Sequence, residues 1–179
     1  MTQTPLRPAL AVLAAALLAG CVVIPVPASR GKTTVVAGPA PASASCPRPQ
    51  GATADEARIL AQVNALRAAR GLGRLKPSSR LRQVAQAHAC DNAARGSYSH
   101  TGSDGATLQT RLHRYGYAPR RASENTGYGF DEAPDRLVAF WMNSPGHRAN
   151  LLDPRVTEAA LGLAQGTRSA WVLELALPR

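Results

Sequence analysis

Aromatic residues make up only 4% of this 179-residue chain, with two Trp, four Tyr and two Phe. A core of stacked rings is therefore excluded. The apolar fraction is still 45%, and 34 residues are alanine, so a core of small, helix-favouring side chains is expected. Lysine is nearly absent: of 21 basic residues only Lys32 and Lys76 are Lys. No block of five basic residues occurs, and no basic stripe alternates with aromatics, so no nucleic acid partner is expected. Signatures of common enzymes are missing too, with no HExxH, GxSxG, CxxC or P-loop. No heptad, collagen or longer repeat period is present. The length leaves no room for a dinucleotide domain beside a second domain.

What is present begins with an address. Arg7 precedes an 11-residue apolar run at 9–19, ALAVLAAALLA. That run is too short for a bilayer and suits a signal peptide, predicted over residues 1–20. It leads into Leu18-Ala19-Gly20-Cys21, which resembles a bacterial lipobox. The resemblance implies cleavage before Cys21 and lipidation there; the alternative is an ordinary secretory signal that happens to precede a cysteine. With Val22 rather than Asp after it, the resemblance implies the periplasmic face of a Gram-negative outer membrane. Loss of residues 1–20 removes Arg7, so the net charge falls from +10 to +9. This Arg excess suits anionic envelope polymers, or reflects composition bias alone.

Residues 21–52 read as a tether. Prolines stand at 25, 27, 39, 41, 47 and 49, and residues 22–52 contain no acid. Such a stretch buries too little apolar surface to offset its ordering entropy. Fully extended at ~3.3 Å per residue it would reach about 100 Å. Setting Cys21 aside leaves Cys46 and Cys90, which in an exported chain form one disulfide or remain two buried thiols.

The folded domain is expected over 53–179. Thr53-Ala54-Asp55-Glu56 reads as a capping box, followed by a helix with Ile59, Val63 and Leu66 on one face. A second helix opens at Pro77-Ser78, carries Leu81, Val84, Ala85, His88 and Asn92 on its face, and closes at Gly96. A loop from Ser97 to Asp104, a short helix near 106–115, an extended segment over 122–129 and a helix over about 132–143 follow. Ser144 to Pro154 reads as irregular. Two strands end the chain, near 157–164 and 170–177. Helices followed by strands with few parallel crossovers predict an α+β fold.

Five blocks carry a resemblance: ILAQVNALRAARGLGRL, LRQVAQAHACDNAARGSYSHTGSDG, RLHRYGY, SENTGYG and AFWMNSPGHRANLLDP. In order and spacing, residues 59–163 resemble a bacterial domain of the superfamily of cysteine-rich secretory proteins, antigen 5 and pathogenesis-related proteins (CAP, or SCP). The resemblance implies a three-layer α-β-α sandwich, export and one open cleft. By motif, His100 in SHTG and His147 in PGH match the two cleft histidines of the family, and Glu124 in SEN matches its first glutamate. The second glutamate is replaced by Ser144. Glu158 lies nearby in sequence without a demonstrated role.

Two imidazoles and a carboxylate suit an open, weakly held divalent metal such as Zn²⁺, or acid–base chemistry without a metal. The spacings of 24 and 23 residues are not a local metal motif. His88 reads as a core histidine and His113 as a surface one. Three functions stay open. The first is a binding module for a small apolar or envelope ligand, with Tyr98, Tyr115, Tyr117, Tyr128 and Phe130 as walls. The second is a metal-assisted or acid–base hydrolase. The third is a structural envelope protein that binds anionic polymers. No catalytic motif marks an enzyme, and a monomer anchored to the membrane through lipid is expected.

Overall fold

Alanines 85, 89 and 93 recur every four residues along the second helix, which gives it a narrow, nearly flat stripe. In the computed structural model, which describes residues 46–179, that stripe lies against a sheet. Residues 1–45 hold the signal-like segment, Cys21 and most of the tether, and these lie outside the described residues. The elements run α1 Ala52–Ala68, β1 Lys76–Pro77, α2 Ser79–Arg95, α3 Leu108–Arg114, β2 Arg121–Tyr128, α4 Arg136–Asn143, α5 Pro145–Leu151, β3 Glu158–Gln165 and β4 Ser169–Leu177.

The sheet order is β1-β3-β4-β2, with β1 parallel to β3 and the other pairs antiparallel. One face, through Leu161, Leu163, Trp171, Leu173 and Leu175, packs on Ile59 and Val63 of α1, Leu137 and Trp141 of α4 and Leu151 of α5. The other face packs on α2 and α3 through Ala160, Ala164, Ala170, Val172 and Ala176. This is the expected α+β, three-layer sandwich. Small residues set how closely α2 approaches. A Cβ placed on Gly162 would lie 2.3 Å from the Ala85 carbonyl carbon, and one on Gly166 would lie 2.2 Å from the Ala93 oxygen. Both glycines are therefore required by close backbone approach.

Several expectations are corrected. Thr53–Glu56 is no capping box: α1 starts after Gly51 without a side-chain cap. Glu56 is instead buried and accepts from Arg48 (2.5 Å) and Arg82 (2.9 Å). The stretch after Ser144 is helical, because Pro145 sits in the first turn, where its missing N–H costs nothing. In β4 both alternating sets of side chains, Trp171, Leu173 and Leu175 on one face and Ala170, Val172, Glu174 and Ala176 on the other, are buried. The strand is central and covered on both faces, so Glu174 is 1% exposed. The end of the Pro-rich segment is docked: Cys46 is bonded to Cys90, Pro47 O accepts from Gln165 N, and Arg48 Nε donates to Leu163 O. These contacts cover the edge of β3 beyond the two residues of β1.

Candidate functional site

β2 is an edge strand, so segments from both faces of the sheet reach round it and meet. From one face comes the loop after α2, tied down where Thr126 Oγ1 donates to Tyr98 O (2.7 Å). From the other comes α5, held by Asn125 Nδ2 donating to His147 O (3.1 Å). Edge carbonyls of β2 are occupied as well, Glu124 O by Asn150 Nδ2 and Thr126 O by Trp141 Nε1. Between the two segments lies a cleft of about 590 Å³ lined by Tyr98, His100, Tyr128, Phe130, Phe140 and His147, among others.

His100 and His147 both face this cleft, with ring centroids 6.5 Å apart. Glu124 is not on the surface. It lies behind His100, buried, with Oε1 2.7 Å from His100 Nδ1 and Oε2 accepting from Arg111 Nη2 at 2.5 Å. A carboxylate bound to Nδ1 fixes the hydrogen there and leaves Nε2 as the outward nitrogen. The bond to Glu124 raises the proton affinity of His100 above the ordinary imidazole value, against the pull of burial. Burial lowers that of His147, and the neighbouring His100 adds to the effect. Two imidazoles pushed in opposite directions are suited to hold and to accept a proton respectively. Ser99 Oγ accepts from Thr101 N at 3.0 Å.

Glu174 stands opposite Glu124 across the β2–β4 pair. Neither of its oxygens accepts from any N–H or O–H among the described residues. Burial, and then the charge of Glu124, raise its proton affinity well above the ordinary carboxylic range. Burial would also raise Glu124, yet His100 and Arg111 hold it below that range. The two carboxyls are thus pushed in opposite directions, Glu174 towards the protonated form and Glu124 towards the ionised one.

The three sequence-predicted residues therefore converge, two on the cleft and one beneath it. Ser144 occupies the N-cap position of α5 without a side-chain cap bond, and Glu158 accepts from Tyr117 Oη, away from the cleft lining. Tyr115 and Tyr117 are not cleft walls: they pack beside α2 and α3. His88 is buried and His113 is exposed, as expected. Among the described residues, no group of three or more His, Cys, Asp or Glu side chains is arranged to hold a metal. Arg111, Asn125, Phe140 and Asn150 were not singled out from the sequence. All four lie within the matched blocks and carried that much signal. Apart from opening the block RLHRYGY, Arg111 looks like any surface Arg of a short helix, and only the fold points it at Glu124.

Phe130 has φ 65°, the one non-glycine among the described residues in the left-handed region. Such a conformation costs about 1–3 kcal/mol. It sets the ring against Phe140 (centroids 5.5 Å), which in turn lies 5.9 Å from His147. Tyr98 and Phe140 are 68% and 45% exposed.

Relatives share this framework. The chain is 29% identical to Bacillus subtilis YkwD over 123 residues, covering 69% of this chain and 47% of that protein. It is 31% identical to the Bacillus subtilis membrane protein YlbC over 111 residues, covering 62% and 32%. It thus spans about half or less of these curated relatives. Among solved structures, an extracellular SCP-domain protein of Bacillus anthracis superposes with TM-score 0.63 at 25% identity, covering 70% of this chain and 41% of that one. An outer surface protein of Borrelia burgdorferi shares the fold with TM-score 0.68 at 20% identity, covering 75% and 99%. The model of the cysteine-rich secretory protein (CAP) family matches residues 60–175, which include the cleft, and the chain belongs to that family.

Proposed function

We propose that this chain is an exported, envelope-located binding module whose cleft takes the apolar part of a small ligand, with His100 and His147 at its polar end. The observation that carries the reading is the open pair of large apolar rings, Tyr98 and Phe140, flanking a cleft floored by Phe130 and Tyr128. Rings kept in water beside a concavity mark a binding surface rather than a core. Export is supported by the signal-like segment and by the Cys46–Cys90 bridge, which needs an oxidising compartment. The extracellular and outer-surface descriptions of the structural neighbours agree with it. A lipid on Cys21, and through it the outer membrane, belong to the same reading. Cys21→Ser then moves the protein from the membrane to the soluble fraction, or blocks its maturation. For the cleft, titration with anilinonaphthalene sulfonate is expected to give saturable fluorescence that Phe140→Ala weakens by about tenfold, as loss of a buried ring contact of ~1.5 kcal/mol requires. Equal titrations in wild type and variant overturn it.

A second reading rests on the fixed tautomer of His100. Its Nε2 and an imidazole nitrogen of His147 would hold a divalent ion such as Zn²⁺ weakly. His147 Nδ1 is buried without a partner among the described residues, so the ring has coordinating capacity to spare. Both Glu124 oxygens are engaged, so in this reading Glu124 orients His100 instead of ligating. Bound metal would supply an electrophile at the cleft mouth. Zn²⁺ should raise the melting temperature of the wild type by linkage, and His147→Ala should abolish the rise. The same response in both proteins refutes this reading.

A further inference from the structure

Strand register draws one line across the end of the sheet: Lys76 is level with Glu158, Glu158 with Ala176, and Ala176 with Ala122. Three strand spacings of ~4.8 Å make that line about 14 Å long. Exposed cations crowd along it. Arg74 precedes β1 and Lys76 opens it, Arg155 precedes β3, and Arg120 and Arg121 lead into β2. Ser78 N donates to Ala159 O, which sets the start of α2, with Arg80, at the same end. The acidic side chains here are Asp153, shared between Arg121 and Arg155, and Glu158, which accepts from Tyr117 Oη. Arg74, Lys76, Arg80 and Arg120 have no ion-pair partner among the described residues. Beside the turn between β3 and β4, at the other end, Asp131 and Glu132 balance Arg136 and Arg168.

We propose that this end of the sandwich docks a linear anionic polysaccharide of the envelope. The inference takes export from the reading above and nothing from the cleft. All of these cations but Lys76 are Arg, whose fork pairs two N–H groups with one carboxylate or phosphate. They are strung along an edge, so a polymer with a repeating charge meets several at once, and weak exposed contacts add up along one chain. An acidic protein partner needs an apolar centre to its interface. The exposed large hydrophobics among the described residues, Tyr98 and Phe140, both line the cleft instead. Single-stranded nucleic acid stacks its bases on such rings and would be drawn there. The path of the chain argues against a bilayer. Pro47 O accepts from Gln165 N, at the far end of β3 from Glu158 and about 24 Å away at ~3.4 Å per residue. A membrane anchor upstream of Cys46 therefore pulls on the opposite end and leaves this one facing away.

Calorimetric titration of the full chain with polygalacturonate tests the face. Binding is expected at about 50 mM salt and should weaken about tenfold by about 200 mM, as counterion release requires. Arg74→Gln, Lys76→Gln and Arg120→Gln together remove three exposed, unpaired charges and should weaken Kd about tenfold at an unchanged melting temperature. The matched control, Arg58→Gln with Arg136→Gln and Arg168→Gln, lowers the net charge equally at the other end and should stay within about twofold of wild type. Equal weakening by the two triple variants overturns the proposal, because net charge alone then explains the binding. So does absence of binding by the wild type. Vesicles of phosphatidylglycerol are the third arm. If they lose the Arg74 triple variant while polygalacturonate binds it like the wild type, the face belongs to lipid headgroups and the proposal falls.

Discussion

Arg67 should be the costliest single side chain to replace in the α1 layer. It is fully buried near the end of α1, and it donates to four backbone carbonyls: Gly73 O (2.8 Å), Leu151 O (2.8 Å), Asp153 O (2.9 Å) and Val156 O (3.3 Å). The last three lie at the end of α5 and in the turn into β3, so one guanidinium ties α1 to the helix that carries His147. The four bonds do not add to four times their individual worth, because burying the cation costs several kcal/mol. Replacing a buried ion pair with apolar residues is often neutral, but here the partners are carbonyls that no substitution removes. Each one stranded costs about 1–3 kcal/mol. Arg67→Met is therefore expected to lose about 3–5 kcal/mol, a large part of a domain stability of ~5–15 kcal/mol. Arg67→Lys keeps the charge but not the fork, and should fall between Met and wild type. Urea denaturation measures this: with m near 2 kcal/mol/M, the Met variant's midpoint should drop by about 2 M at unchanged slope. Amide exchange at 151–156 should accelerate with it. A loss under ~1 kcal/mol would refute the reasoning and mean that water reaches the four carbonyls.

Gly162→Ala should destabilise by about 2 kcal/mol or more, since the new Cβ meets α2 backbone that cannot rotate away. Gly73→Ala, with open space around it, should stay within ~0.5 kcal/mol; equal effects would discount the close approach of α2. The bridge between Cys46 and Cys90 spans a separation of 44 residues, and the chain-entropy relation gives about 4 kcal/mol for it. Thiol titration of the denatured, unreduced protein should find neither cysteine, and Cys46→Ser should lower the melting temperature. Glu174 binds its proton more tightly folded than unfolded, so stability should fall as pH rises above the ordinary value of 4.5 and through the folded one. Glu174→Gln, neutral throughout, should flatten that fall; melting curves with the same pH slope in both proteins would contradict the raised proton affinity.

Local rules were enough where one element answers to one interface. The α2 face of Leu81, Val84, Ala85, His88 and Asn92 was legible because a helix on a sheet needs one stripe, and Gly96 ends it with φ 59°. The same holds for the last two strands and for the pairing of Cys46 with Cys90. His100, Glu124 and His147 were legible from motifs, although 47 residues separate the first from the last. Spacing alone would not have joined them. Other features depend on what lies opposite in space. Glu174 is buried only because β4 is central, with helices on both faces. Ser144–Pro154 reads as irregular until α5 gains Asn125 and Arg67 as partners. Arg111 becomes the counter-charge of Glu124 only when α3 folds over the sheet beside β2. Composition, periodicity and motif thus determined the layers and named the cleft histidines. Which charges are buried, which carboxyl has its proton affinity raised and which rings face solvent were decided by long-range packing, because those properties belong to a residue's surroundings and not to its neighbours in sequence.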